Sequence, residues 1–277
     1  LKVTERADAK VNLLLDAGGA EDSPDAACGG TCPARFHQVD LVFQEISLHD
    51  DVVVEKAGDF SVKCAGNIRN NTAEKAARLF FEKTEMLCCA KISITKRIPV
   101  ASGLGGGSSD AAAVIRALDK LYGTELTKEE MMELGRAVGS DVCFFLEGGC
   151  CLARGREFNL TKLEPKAGFY VLLETPKVRL PEKKTAWVYS EYDKLAKKKR
   201  FDAEKMAYAV EYGDATDVAS LLGNSLEDVV LAAFPECAAA KKRMLEKGAL
   251  GALVSGAGPT VFGIFDKRTA GAYETVA

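Results

Sequence analysis

Histidine is nearly missing from this 277-residue chain: His37 and His49 are the only two. Nine cysteines are present, including Cys28 and Cys32 in CGGTC and the adjacent pairs Cys88–Cys89 and Cys150–Cys151. CGGTC has C-x3-C spacing, no C-x2-C half appears to pair with it, and two histidines cannot complete a finger-like set, so the spacing argues against a zinc site. The expectation is reduced, mostly buried cysteines and no metal held by the chain alone. Long apolar runs are lacking too, since no stretch approaches the ~18 residues that a membrane helix needs. The opening LKVTERADAKVNLLL carries no small-residue cleavage site. An excess of basic charge is also lacking. A formal net charge of −3 argues against a nucleic-acid partner, while local basic patches remain available for a phosphorylated ligand. These absences point to a soluble, cytoplasmic protein acting on a small molecule; a monomer or homodimer is expected, and no sequence feature selects between them.

What is there is a chain that is 47% hydrophobic, enough for one large core or two modest ones. Period-two alternation predicts strands over 3–16, 39–48, 52–55, 60–64 and 90–98, the last with Ile92 and Ile94 on one side. Helical spacing predicts helices over 72–87, with Ala76, Leu79 and Phe80 on one face, and over about 107–122, with Val114, Leu118 and Leu121 pointing one way. Thr127 and Glu130 have the spacing of a capping box. VCFFL (142–146) and CCLAR (150–154), separated by Glu147-Gly148-Gly149, predict a hairpin. The second half predicts a strand at 168–174, helical stretches from about 184 to 247, and a strand pair around a glycine turn at 255–258. Strands flank helices without regular alternation, which indicates an α+β protein. Polar sequence and Pro165 suggest two domains, 1–160 and 161–277.

The richest chemistry lies in Pro99-Val100-Ala101-Ser102-Gly103-Leu104-Gly105-Gly106-Gly107-Ser108-Ser109-Asp110. Glycines without Cβ atoms let a backbone approach a ligand closely. The run ends where a helix starts, so uncapped N–H groups and the positive end of the helix dipole face one space, with the Ser108 and Ser109 hydroxyls as further donors. Such a place suits polyphosphate; a tight structural turn is the other reading of the same residues. No lysine follows Gly107, so this is not a Walker loop. Ser108 stands where a dinucleotide fingerprint has its third glycine. A helix terminus supplies only ~0.3–1 kcal/mol toward an anion, so a lysine or magnesium must share the load of a triphosphate.

The string PVASGLGGGSSDAA resembles the phosphate-binding motif of the GHMP kinases, and its GLGGGSSDAA form is most similar to the kinases of diphosphocytidyl-methylerythritol within that superfamily. Other segments agree in the same order: AKVNLLL (9–15), Phe36-His37, GSDVCFFLEGG (139–149), NSLEDVV (224–230) and SGAGPTVFGIF (255–265). The resemblance spans nearly the whole chain. It implies a two-lobed α+β fold with the active site between the lobes, and phosphorylation, at the expense of ATP with Mg2+, of a hydroxyl on a cytidine-diphosphate-linked methylerythritol in non-mevalonate isoprenoid synthesis.

The resemblance also assigns roles. Asp141 is implied as general base and Lys10 as the cation that keeps it ionised and spreads charge toward the γ-phosphate; from spacing alone they read as a capping aspartate and a surface lysine. The loop Pro99–Ser109 is implied to hold the triphosphate, with Asn71 and Lys96 on the nucleotide side, although Asn71 also reads as an ordinary N-cap. Phe36 stacking on cytosine and His37 bonding its edge are implied for the acceptor, together with Asn12, Thr185 and Tyr189. No spacing selects magnesium ligands. The chain departs from the family at Ala34-Arg35, where Asp-Gly is usual, at Cys143, where proline is usual, and in a longer 18–32 loop; Arg35 offers an alternative contact to a substrate phosphate. The competing expectations are another GHMP kinase, for homoserine, a mevalonate-like acid or a sugar, and a non-catalytic nucleotide-binding regulator.

Overall fold

The computed structural model of the chain describes residues 1–22, 35–64, 71–155, 159–166 and 168–276, without the side chains of 19–22, 35 and 36. The expectations for Cys28, Cys32, Ala34 and the 18–32 loop fall largely or wholly outside these residues, as do those for the Arg35 and Phe36 side chains. Two compact units form: one from Leu1–Lys10, Glu45–Gly148 and Val276, the other from Val11–Gln44 and Gly149–Thr275. The division is not the single cut at 160/161 expected from sequence. Two long strands, β1 (Lys2–Asp22) and β2 (Arg35–Lys56), each lend residues to both units.

In the first unit β3 (Ser61–Cys64) is followed by helix α1 (Thr72–Lys83), strand β4 (Ala90–Thr95), and helices α2 (Gly106–Tyr122), α3 (Lys128–Val138) and α4 (Ser140–Glu147). β4 pairs antiparallel with Asp51–Lys56 of β2 and parallel with β3. Its Ile92 and Ile94 are buried between exposed neighbours, as period two requires. Asn71 caps α1 by accepting from the Ala73 N–H at 2.9 Å. Thr127 and Glu130 form the expected capping box of α3. Along α2 Val114, Leu118 and Leu121 are buried, and so are Ala111, Ala112 and Ala113, so this helix runs through the core rather than over it.

Residues 142–146 are not a strand. They lie in α4, which begins after Gly139 and closes at Gly148 with φ 79°. A short apolar run carries no period that separates strand from buried helix, and packing decides here: Val142, Cys143, Phe144 and Phe145 are all buried. The Arg116 guanidinium of α2 donates to the Phe145 carbonyl at 2.6 Å, near the end of α4 where carbonyls lack helical partners. Only CCLAR, of the two expected hairpin arms, is a strand.

That strand, β5 (Cys150–Arg154), belongs to the second unit, where it pairs antiparallel with Leu41–Gln44 of β2 and with β6 (Asn159–Leu163). There follow β7 (Tyr170–Glu174), α5 (Lys184–Asp193), α6 (Ala203–Tyr212), α7 (Ala215–Ser220) and the short β8 (Gly223–Asn224), which runs parallel to β1 at Leu14 and Leu15. The chain ends with α8 (Glu227–Ala233), α9 (Pro235–Glu246), β9 (Gly251–Val254), β10 (Val261–Phe265) and β11 (Tyr273–Glu274). β11, β7, β10 and β9 form an antiparallel sheet in that order. The strand pair around 255–258 is present as expected. Among the described residues no helix is long and apolar enough to cross a membrane.

Candidate active site

The glycine-rich stretch leaves β4 and turns into α2. Ala101 adopts φ 56° and Gly105, the residue before the helix, φ 76°. No side chain caps α2 at Gly105; the first N–H drawn back into the helix is that of Ser109, which bonds to the Gly105 carbonyl at 2.9 Å. The N–H groups of Gly106, Gly107 and Ser108 are therefore the ones free of the helical ladder. Pro99, Val100 and Ala101 are exposed, whereas Ser102, Leu104 and Ser109 are buried. Of the two hydroxyls expected to face a phosphate, Ser108 is half-buried and Ser109 points inward.

Lys10 lies beneath this turn. Its backbone N–H donates to the Leu104 carbonyl at 3.0 Å, and a Cβ placed on Gly105 would come within 3.1 Å of its Cγ. Its Nζ stands 3.9 Å from Oδ2 of Asp141, with the lysine side chain 6% and the aspartate 34% exposed. Burial lowers the Lys10 pKa from the ordinary 10.5, and the Asp141 carboxylate opposes that fall. Helical spacing aims Asp141: Phe145, four residues on and on the same face of α4, packs its ring against Gly105. The sequence-predicted pair and the predicted loop are thus brought together within one unit.

Asn71 and Lys96 stand beside the same loop. Thr72 Oγ1 donates to the Gly107 carbonyl at 2.6 Å, tying the start of α1 to the start of α2. Lys96 Nζ donates to Asp50 at 2.5 Å and to Asp110 at 2.7 Å, and lies 3.2 Å from where a Gly106 Cβ would stand. Burial pushes Lys96 down, and the Asp110 and Asp50 carboxylates more than reverse it. Asp110 is pushed up to about 7 by burial, against the pull of Lys96 and with Asp50 adding to the rise. Sequence reasoning missed this cluster. Nothing in the spacing of Asp50, Lys96 and Asp110 announces it, because β2, β4 and α2 bring them together.

The acceptor-side residues lie in the second unit. His37 Nε2 is 2.8 Å from Oδ1 of Asp193, and the His37 and Tyr189 rings are 4.7 Å apart between centroids. Thr185, Tyr189 and Asp193 repeat every fourth residue along α5, so they share a face, and that spacing is the sequence signal for Asp193. Thr185 is exposed, and Asn12 is buried in β1. Asn224 holds the C-terminal glycine turn: its Nδ2 donates to the Val254 and Gly256 carbonyls at 2.8 Å each, and its Oδ1 accepts from the Leu226 N–H at 2.9 Å. Gly258 in that turn adopts φ 66°, where a Cβ would meet Val230 at 2.9 Å, and the Lys184 ammonium donates to its carbonyl.

Comparison with known proteins shows the family. Residues 71–149 match the GHMP kinases N terminal domain, and residues 206–273 match the GHMP kinases C terminal family. The 4-diphosphocytidyl-2-C-methyl-D-erythritol kinase of Pelotomaculum thermopropionicum is 40% identical over 268 residues, covering 95% of this chain and 88% of that protein. The protein of the same name from Acetivibrio thermocellus is 37% identical over 283 residues, covering 98% and 94%. A crystal structure of 4-(cytidine 5'-diphospho)-2C-methyl-D-erythritol kinase superposes with a TM-score of 0.78 at 30% identity, covering 99% of this chain and all of that one. Homoserine kinase from Cytophaga hutchinsonii, at 17% identity and a TM-score of 0.65 over 94% of this chain and 86% of its own, shares the fold. The chain belongs to the GHMP kinases and, among them, to the 4-diphosphocytidyl-2-C-methyl-D-erythritol kinases, ATP-dependent phosphotransferases that act on a small-molecule alcohol.

Proposed function

We propose that this chain transfers the γ-phosphoryl group of ATP to the 2-hydroxyl of 4-diphosphocytidyl-2-C-methyl-D-erythritol, in the cytoplasm, as a step of non-mevalonate isoprenoid synthesis. One observation carries the chemistry: Lys10 and Asp141 stand 3.9 Å apart with the lysine stem packed under Gly105 of the uncapped loop. The uncapped N–H groups of Gly106, Gly107 and Ser108 suit the triphosphate, with Asn71 and Lys96 on the nucleotide side. Asp141 orients the acceptor hydroxyl and takes its proton. The hydroxyl oxygen bonds to the γ-phosphorus as the bond to the β,γ-bridging oxygen breaks, and ADP leaves. A carboxylate is a weak base for an alcohol, but a loose phosphoryl-transfer transition state needs the proton removed only late. Lys10 offsets the charge on the equatorial oxygens.

Magnesium fits as a companion of the triphosphate. Among the described residues no three or more His, Cys, Asp or Glu side chains are placed to hold a metal ion by themselves, and magnesium ordinarily enters such sites on phosphate oxygens with one or two carboxylates. Asp141 serves the acceptor hydroxyl and is not counted among those ligands, so the phosphate oxygens would carry most of the ion's coordination. When bound, the ion draws charge from the β- and γ-phosphates. On the acceptor side His37, Tyr189 and Thr185 gather around α5, and Phe36 precedes His37 in β2, which suits a flat base with polar edges.

The test is ATP consumption by the purified chain with diphosphocytidyl-methylerythritol, homoserine or mevalonate supplied separately. Turnover with the first alone is expected. Turnover with homoserine or mevalonate in its place would move the chain to another GHMP acceptor, and ATP binding without turnover would make it a regulator.

A further inference from the structure

The ring of His37 is held from several sides by α5. Tyr189 lies 4.7 Å away at 37° and Tyr192 meets it edge-on at 6.2 Å and 62°. Tyr192 is itself fully buried and anchored by its hydroxyl to the Ala17 carbonyl at 2.7 Å. The last residue of the helix, Asp193, stands 2.8 Å from Nε2, in a pair whose side chains are only 11% and 25% exposed. Lys198 Nζ lies 3.4 Å from the same Asp193 oxygen and sits over the Tyr192 ring at 4.7 Å. Burial pushes the Asp193 carboxyl up, but the bonds from His37 and Lys198 outweigh it and hold it below the usual 3.8. Asp193 is therefore an anion with acceptor oxygens only, and the hydrogen of the short contact must come from Nε2.

We propose that Asp193 is a positioning residue that sets the base specificity of the acceptor site: by accepting the Nε2 proton of His37 it leaves Nδ1 as a lone-pair acceptor, matched to an exocyclic amino group and mismatched to a carbonyl. In a neutral imidazole one nitrogen donates and the other accepts, and the partner of the first fixes the role of the second. Cytosine carries an amino donor at the ring position where uracil carries a carbonyl acceptor. A histidine locked in this tautomer bonds the first and faces the second lone pair to lone pair. The inference rests on the proposed cytidine-linked acceptor, and it names what selects that base. Without such a partner an imidazole can turn over or shift its proton to suit either base, so the selection is assigned to the His37–Asp193 pair and not to His37 alone.

The experiment compares kcat/KM for the cytidine-linked substrate and its uridine counterpart in the wild-type chain, in Asp193→Asn, in His37→Ala and in the double variant. The wild type should prefer cytidine. Asp193→Asn presents an amide that can donate as well as accept, so the preference should fall about tenfold or more, the scale of one base-reading contact. In the His37→Ala background the same change should leave the preference unaltered. A drop equal for both bases in Asp193→Asn, with the ratio kept, would overturn the role of Asp193. A wild type that turns over neither compound would instead sink the proposed acceptor. Nitrogen-15 chemical shifts of His37 in the wild-type chain test the tautomer without any variant: a protonated Nε2 with a bare Nδ1 is expected, and a proton on Nδ1 in the neutral ring overturns the inference.

Discussion

A Cβ placed on Gly105 would stand 2.6 Å from Cζ of Phe145. The contact joins the turn before α2 to the helix that bears Asp141, and it leaves no room for a side chain. Because Gly105 also has φ 76°, an alanine there is strained in backbone as well as crowded. Gly105→Ala should push α4 and the loop apart by a fraction of an ångström to an ångström. Displacement of that size costs on the order of 10²-fold in rate, and overpacking costs about 1–3 kcal/mol of stability. Steady-state turnover and a denaturant melt of the variant measure both. Unchanged turnover would mean that the loop and α4 tolerate separate movement.

The Lys10–Asp141 pair makes a kinetic prediction. Asp141→Asn should lower kcat by about 10²–10⁴ with substrate affinity largely kept, the usual scale for an acid–base group. Lys10→Met should cost about 10²–10³, as loss of one donor to developing charge does. Turnover within about twofold of the unmodified chain in Asp141→Asn would remove its role as base. Burial also means that Lys10 loses its proton at a pH below the ordinary 10.5. The rate should therefore fall on the alkaline side before that pH, which a pH–rate profile reads directly.

The cluster under the loop predicts how stability depends on pH. Asp110 is pushed up to about 7 from the ordinary 3.8, so between those values the folded chain binds more protons at this site than the unfolded chain does. Its contribution is fully present below about 3.8 and is lost as pH rises through about 7. Asp110→Asn removes the titration, so the variant should lose less stability than the wild type across that window. Urea unfolding at a series of pH values measures it. Parallel curves for the two proteins would show that Asp110 does not titrate there.

Asn224 makes a prediction confined to the second unit. Its amide serves two carbonyls and one N–H of the turn between β9 and β10 and of the approach to α8. Asn224→Ala leaves all three buried groups without that partner, at a cost of about 3 kcal/mol. Asn224→Asp should also destabilise, because a carboxylate cannot donate to Val254 and Gly256. Thermal unfolding of both variants checks the pair of effects; an aspartate variant as stable as the wild type would contradict the donor role.

Much of this was legible in the residue order. The alternation around Ile92 and Ile94, the capping box of Thr127 and Glu130 and the spacing of Val114, Leu118 and Leu121 each depend on residues a few positions apart, and local sterics and hydrogen bonding act over that range. The ordered motifs were enough to mark the loop, Lys10 and Asp141. The segment 142–146 is ambiguous in sequence because its apolar residues satisfy a strand and a buried helix equally. Only contact with α2 and α3 selects α4, and that choice turns Asp141 toward Lys10.

By itself, then, the sequence determined the α+β class, the uncapped glycine turn and the family to which the chain belongs, all carried by short-range pattern. The tertiary structure decided which charges meet. Asp50, Lys96 and Asp110 come from β2, the end of β4 and α2, and Asp193 reaches His37 from 156 positions away. Such pairings depend on the path of the backbone between the partners, and no local propensity encodes that path.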